Sequence, residues 1–230
     1  MYKIELHAHT KPVSGCGQLK PEELVKAYSD VGYKGIVIAN HFTKDAFAKD
    51  PEGMLEYYMN AYRESEAAGE KYGIKIYWGA EFRFAAQIQD FLVYGVTESM
   101  LRKMINAFDY SFEQFYELVK SEGGLFIQAH PFRHIDLIIP LSDLDGIEMY
   151  NMHSGHDSRN ACAQLVKEKF GVKIATSGSD CHEYCHVGRG GIEVEELPAD
   201  NKALCDVLRS GNFNYITNYD FNYCETFMKG

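Results

Sequence analysis

Basic residues are in short supply in this chain. Its 23 Lys and Arg face 33 Asp and Glu, a formal charge of −10. That balance argues against a nucleic-acid coat or a general binder of phosphate backbones, so stable nucleic-acid binding is not expected. A nucleotide substrate stays open, because bound metal ions reverse the sign of the field locally. Long apolar runs are missing too: none approaches the roughly 20 residues that span a bilayer, and no membrane partner is expected. The first ten residues carry charges and read as a strand rather than as a secretory signal. The cysteines, Cys16, Cys162, Cys181, Cys185, Cys205 and Cys224, lack the spacing of a disulfide scaffold. Reduced thiols and a cytoplasmic location are the expectation. Linkers, repeats and low-complexity stretches are absent. With 46% hydrophobic residues, 16 Tyr and 14 Phe, the 230 residues can bury one well-packed core. Residues 1–230 are therefore expected to form a single domain.

What is present is an alternation of strand and helix patterns. Lys3–His9 alternates, with Ile4, Leu6 and Ala8 on one face and Glu5, His7 and His9 on the other. Pro21-Glu22-Glu23 opens a helix that stops near Gly32, with Pro in the first turn and acids at the positive end of the dipole. Gly35–Ala39 is wholly apolar, as in a parallel strand buried on both faces. A long helix over Pro51–Tyr72 leads to strand Lys75–Glu81, and Asp90–Val96 reads as a strand or hairpin partner. Ser111 and Gln114 form a capping-box pattern for a helix ending at Gly123. Strands Leu125–Ala129 and Gly146–Tyr150, helix Ser158–Phe170 and strand Lys173–Ser177 follow, then a short strand at Gly191–Val194 and a last helix, Asn201–Ser210. This order predicts a parallel sheet with helices outside, as a barrel or a doubly wound sheet.

Seven candidate metal ligands fall at the ends of these strands: His7 and His9 in H-A-H, His41 in A-N-H, Glu81 in G-A-E, His130 in A-H-P, and Asp180 and His182 in S-D-C-H. Barrels place their chemistry at the C-terminal strand ends, so this placement favours the barrel. One histidine at a strand end is ordinarily packing, and S-G-S-D is ordinary turn chemistry. Seven recurrences point to a common cause, a centre of imidazole and carboxylate ligands. His7 and His9, two apart on a strand, point to the same side and can chelate one ion. Glu81 can bridge two ions; its bland alternative is an ion pair with Arg83. A competing local pattern, C-H-E-Y-C-H over Cys181–His186, would make a structural zinc knuckle. His134, His153 and His156 are spare loop histidines that could reach the same mouth.

Taken together, these motifs resemble the PHP family (polymerase and histidinol phosphatase), metal-dependent phosphoesterases on a distorted (β/α)7 TIM-like barrel. The resemblance runs from H-A-H-T at His7–Thr10 to G-S-D-C-H at Gly178–His182, with P-E-E-L at Pro21–Leu24, G-I-E-M-Y-N at Gly146–Asn151 and G-R-G-G at Gly188–Gly191 fitting as well. It implies two to three divalent ions, Zn, Mn or Fe. One would take His7, His9, Glu81 and Asp180, a second would share Glu81 and use His130, and a third would use His41 and His182. The chain departs from the family at two ligand positions, where Cys16 and Asp90 stand as substitutes, and Asn40 stands where an Asp is common before His41.

The function implied is hydrolysis of a phosphate ester, with Glu81, Asp180 and His182 at the catalytic centre. Arg83, Arg133 and Arg189, each beside a ligand motif, and Lys11 are candidate phosphate clamps. His182 or a spare loop histidine is the candidate donor to the leaving group. A small phosphorylated metabolite or a nucleotide is the substrate class left by elimination. The alternatives are an amidohydrolase, which would normally want a metal-bridging Lys and a final lone Asp, and a non-catalytic barrel stabilised by metal.

Overall fold

The structure is a computed structural model and describes residues 1–85, 87–134 and 140–228. Strands and helices follow one another as β1 (Tyr2–Ala8), α1 (Pro21–Asp30), β2 (Tyr33–Ile38), β3 (His41–Thr43), α2 (Lys44–Phe47), α3 (Pro51–Tyr72), β4 (Lys75–Arg83) and β5 (Phe91–Tyr94). Then come α4 (Glu98–Met104), α5 (Phe112–Ser121), β6 (Leu125–Gln128), β7 (Gly146–Asn151), α6 (Asn160–Phe170), β8 (Ile174–Gly178), β9 (Gly190–Val194), α7 (Asn201–Ser210), β10 (Asn214–Thr217) and α8 (Tyr223–Phe227). No helix among the described residues is long and apolar enough to cross a membrane.

Local signals set the helix limits. The Lys20 N–H donates to Glu23 Oε2 at 2.8 Å behind Pro21, and Ser111 and Gln114 exchange bonds of 2.9 and 3.2 Å at the start of α5. Asp50 accepts from the Gly53 N–H at 3.0 Å to start α3, which ends on Gly73 at φ 69°.

The strands form a nearly closed barrel in the order β10-β9-β1-β2-β4-β5-β6-β7-β8. β9 pairs antiparallel with the first half of β1, Tyr2–Ile4. The far end of β1 is thus left to meet the segment after β8: His9 N–H donates to the Cys181 carbonyl at 2.9 Å and Cys181 N–H to the His7 carbonyl at 3.0 Å. The ring is therefore β1-β2-β4-β5-β6-β7-β8, the expected distorted TIM-like barrel.

Three features depart from the sequence reading. The sheet is not wholly parallel: β5 is the hairpin partner that Asp90–Val96 allowed, antiparallel to both β4 and β6, because only a short segment separates β4 from β5 and no crossover helix fits there. The pairing of β1 with β2 shifts between Glu5 and Ala8, so strict alternation along β1 breaks. Ile4 and Leu6 join an inner cluster with Val37, Leu92 and Ile127, whereas Ala8 joins the outer cluster of Leu24 and Tyr28 from α1. Last, β10 and α8 follow the helix with which the regular part was expected to finish. β10 pairs with β9, and α8 begins where Asn222 accepts from Cys224 N–H at 3.0 Å.

Two layers of packing hold the barrel. The inner cluster fills its lower half and is joined by Leu204, Cys205 and Leu208 of α7. Outside, a run of rings (Phe42, Phe82, Phe84, Phe91, Phe115 and Phe126) packs β3–β6 against α5. The Phe82 and Phe115 centroids lie 4.1 Å apart. Such ring pairs contribute about 0.5–1.5 kcal/mol each beyond their buried area. This rigid wall carries polar side chains at its upper end.

Candidate metal centre

Each candidate reaches the top of the barrel by an identifiable route. The register shift in β1 delivers His7 and His9 together over the inner cluster. β3 pairs in parallel with β4 at His41↔Glu81, which sets those two side by side. Because β5 is antiparallel, its beginning rather than its end lies at this rim, and so Asp90 arrives beside Glu81. His130 and Asp180 leave their strands with left-handed backbone, at φ 25° and 49°. Such conformations cost of order 1–3 kcal/mol and persist where the surroundings over-determine them. Gly178 makes room for the approach of β1, since a Cβ there would stand 2.6 Å from His7 Cβ and 2.8 Å from Glu148 Oε1.

The ring nitrogens are oriented by what lies behind them. His7 Nδ1 faces Glu148 Oε1 at 2.9 Å, so Nδ1 carries the proton and Nε2 presents its lone pair to the centre. His9 Nδ1 faces Ser14 Oγ at 3.2 Å. That hydroxyl donates to Asn40 Oδ1 at 2.9 Å and accepts the His41 N–H at 3.0 Å, so toward His9 it acts as acceptor. His9 Nε2 is therefore bare as well. The two bare nitrogens lie 3.1 Å apart, with Glu81 Oε1 3.3 Å from His7 Nε2 and Asp180 Oδ1 3.3 Å from His9 Nε2.

His130 Nε2 lies 3.1 Å from Glu81 Oε1 and 3.8 Å from Asp90 Oδ2. On the other side of Glu81, His41 Nδ1 is 2.6 Å from Oε2, while His41 Nε2 is 3.1 Å from Cys16 Sγ.

Divalent metal ions fit these residues. Two lone pairs facing each other across 3.1 Å repel unless a cation sits between them. Glu81 Oε2 is buried and has no hydrogen-bond partner among the described residues, with His41 Nδ1 close by at 2.6 Å. Atoms bound to one ion at about 2.0–2.2 Å stand roughly 3–3.5 Å from one another, which is the spacing found. The donor sets His7–His9–Glu81, Glu81–Asp90–His130 and His9–His41–His182 each bring their ligand atoms within 4.8 Å.

Electrostatics point the same way. Burial would raise the Glu81 carboxyl, but the charges of His41 and His7 hold it well below the usual carboxylate range. Asp180, likewise opposed by burial, is held well below its usual value by His7, His9 and Arg133. Burial opposes protonation of His7, yet Asp180, Glu148 and Glu81 raise it well above its usual value. His9 goes the other way, pushed well down by burial and by His182 and His41. Without an ion the centre thus holds protons as its cations, and a metal would displace them.

Comparison with known proteins gives the same picture. The model of the PHP domain matches residues 5–188. The chain belongs to the PHP domain family. No curated protein matches its sequence. Among solved structures, a proposed metal-dependent phosphoesterase from Bifidobacterium adolescentis superposes with a TM-score of 0.55 at 18% identity, over 89% of this chain and 95% of that one. A two-domain protein from Bacteroides vulgatus, containing a predicted PHP-like metal-dependent phosphoesterase, gives 0.64 at 15% identity over 94% of this chain and 65% of its own. An amidohydrolase from Chromobacterium violaceum gives 0.55 at 16% identity, over 78% of this chain and 87% of that one. At these identities the likeness is one of fold.

The seven strand-end candidates of this PHP domain gather in one place with Cys16 and Asp90. Most of them line a cavity of about 370 Å³ with Arg83 and Arg133. Two clamp candidates do not reach it. Arg189 spends its guanidinium on the carbonyls of Met152, Phe221 and Tyr219 at 2.6–2.9 Å, tying the C-terminal segment to the β7 end, and Lys11 does not line the cavity. Arg83 pairs not with Glu81 but with Asp90, through bonds of 2.6 and 2.7 Å. Arg133 Nη2 donates to Asp180 Oδ2 at 2.6 Å and to Asn151 Oδ1 at 2.7 Å. A zinc knuckle does not form: the Cys181 thiol is buried against the Glu183 carbonyl, while Cys185 turns to the Glu183 carboxylate.

Strand periodicity alone does not single out two buried acids. Glu148 orients His7 and accepts from the His130 N–H at 3.0 Å and from Asn151 at 2.9 Å. Glu5 accepts from the His7 and Ser179 N–H groups at 2.8 Å each, joining the two ligand segments. An acid set within an apolar strand was the available signal for both.

Proposed function

We propose that this PHP domain, taken as one domain over residues 1–230, is a metal-dependent phosphoesterase acting on a small phosphorylated metabolite or nucleotide. The observation that carries the reading is Glu81, a buried carboxylate whose Oε2 lacks a hydrogen-bond partner among the described residues while His7, His9, His41 and His130 surround it. Two to three divalent ions, with Zn, Mn and Fe suited to such ligands, would be held by His7, His9, Glu81 and Asp180, by Glu81, His130 and Asp90, and by His41, His182 and Cys16. Bound there, they would activate water near neutral pH, neutralise phosphate charge and orient the phosphoryl group.

The chain's own side chains prepare that centre. Glu148 and Ser14 keep the protons of His7 and His9 on Nδ1, away from the ions. Arg133 occupies Asp180 Oδ2, leaving Oδ1 turned to His7 and His9. Arg83 instead donates to both oxygens of Asp90, fixing that carboxylate beside His130, and both arginines set positive charge at the cavity wall where a phosphate would enter. His182 is assigned here as a ligand rather than a proton donor: its Nδ1 lies 2.8 Å from the Asp180 carbonyl, which leaves a lone pair on Nε2. A cavity of about 370 Å³ suits a small ester, and the charge of −10 disfavours a polynucleotide.

The test is metal content of protein purified without chelator, paired with turnover on a panel of small phosphomonoesters. Two or three equivalents of metal with metal-dependent phosphate release are expected. Bound metal with no release from any ester would overturn the reading and favour an amidohydrolase-type or binding role.

A further inference from the structure

One wall of the cavity carries three neighbouring histidines, His153, His182 and His186, each with a ring nitrogen within 4.8 Å of the others. By distance alone they would make another metal site. Their hydrogen bonds sort them differently. A neutral imidazole has one proton, and the nitrogen that faces a backbone N–H must be the bare one. His182 Nδ1 faces a carbonyl oxygen, that of Asp180, at 2.8 Å, so it is protonated there and its Nε2 is a ligand atom. His186 Nδ1 instead accepts the backbone N–H of His182 at 3.2 Å, and His153 Nδ1 accepts that of Gly155 at 3.0 Å. Both rings therefore carry their proton on Nε2, and a protonated nitrogen does not ligate.

Moving either proton to Nδ1 would set two N–H donors against each other, in the case of His186 on a side chain 3% exposed. The two Nε2–H groups are also uncommitted. His186 Nε2 is 3.6 Å from Glu183 Oε1, beyond a hydrogen bond, and His153 Nε2 has no hydrogen-bond partner among the described residues. The rings lie against each other with centroids 4.0 Å apart, and His153 is 5.6 Å from His182 by the same measure.

We propose that His153 and His186 are a pair of neutral N–H donors that recognise an oxygen of the substrate beside the metal centre, and are not metal ligands. The class of group they take is an oxyanion or ester oxygen, which accepts hydrogen bonds and donates none. Identifying that oxygen as a phosphate ester's rests on the function proposed above; the proton positions do not.

Two measurements on the full chain separate these points. The first is ¹⁵N NMR of the histidine rings in zinc-loaded and zinc-free protein. The expected result is Nε2–H on His153 and His186 in both states, with His182 Nε2 shifting on zinc loading. A zinc-induced shift at Nε2 of either His153 or His186 would overturn the proposal, whatever the protein hydrolyses. The second is titration of the zinc-loaded protein with inorganic phosphate. His153→Leu and His186→Leu should each weaken phosphate binding about tenfold at unchanged zinc content, and His153→Gln, which keeps an N–H, should retain most of it. Loss of zinc in the Leu variants, or unchanged phosphate binding in both, would overturn it. Phosphate bound tightly by a protein that hydrolyses no phosphate ester would sink the proposed function and leave the donor pair standing.

Discussion

The inner and outer sides of the centre are built differently. His7, His9, Glu81 and Asp180 are 0–1% exposed, and each has a fixed partner or neighbour holding its orientation. On the outer side, side-chain exposure reaches 28% at His41 and 15% at His182, and Cys16 is exposed. His182 Nδ1 leans on a backbone carbonyl, and Cys16 sits on a loop. Where hydrogen bonds fix the ligands beforehand, an ion gains affinity because little ordering remains to be done. On the proposed function, ions bound on the inner side should therefore be retained through purification and an ion on the outer side exchanged. The donor types differ as well: oxygen and imidazole inside, with a thiol added outside.

Breaking the inner side should have the largest effect. We predict that Glu81→Gln lowers kcat/KM roughly a thousandfold or more and strips metal, because it removes the charge shared by the His7–His9–Glu81 and Glu81–Asp90–His130 donor sets. Elemental analysis beside turnover checks this; a variant that keeps both its metal and its activity would falsify the role of Glu81. One step back from the ions, Glu148→Gln should weaken metal binding about 10–100-fold, since His7 loses the carboxylate that fixes its proton. Competition with a chelator of known affinity measures it. An unchanged affinity would mean that Asn151 and the His130 N–H hold the site without the carboxylate.

These two residues also mark how far the sequence was legible. Glu81 could be read because it ends a strand, as six other candidates do at four further strand ends, and the barrel followed from the strand and helix alternation. Glu148 sits in mid-strand in G-I-E-M-Y-N, where nothing local distinguishes an orienting acid from an ordinary buried one. The course of β5 stayed open between a further strand and a hairpin partner because four apolar residues pair equally well in either direction. Asp90 could consequently be suspected but not placed. The failure of alternation in β1 has a similar cause: the shift between Glu5 and Ala8 lies in its pairing with β2, which the strand's own pattern does not encode. Arg189 was misleading because a place beside a ligand motif does not show which way a long side chain turns.

The outer side can be broken separately. Cys16→Ala should remove one equivalent of metal, leave the inner ions bound and lower turnover about tenfold. A loss of all the metal would show that the two sides are not independent. Cys16→Asp sharpens the contrast, since exchanging sulfur for oxygen should shift the outer position away from Zn toward Mn. In cobalt-loaded protein the thiolate charge-transfer band in the near ultraviolet should be present in the parent and absent from both variants. A parent without that band would mean that Cys16 stands near the ion and does not bind it.

The smallest effect is expected at Glu5, which contributes order to the inner side without touching its ions. Its two oxygens accept from the His7 and Ser179 N–H groups, the Ser179 hydroxyl and the Tyr28 hydroxyl, at 2.5–2.8 Å. One carboxylate thus ties the backbone of the H-x-H segment to the residue before Asp180 and to helix α1. Glu5→Gln keeps the volume but replaces one acceptor oxygen with an NH₂ that faces donors. Urea unfolding should show a loss of about 1–3 kcal/mol, with metal content at saturation unchanged. If the variant is as stable as the parent but loses inner metal, Glu5 acts on the ligands directly, and the line between the inner ligands and their supports has to be redrawn to include it.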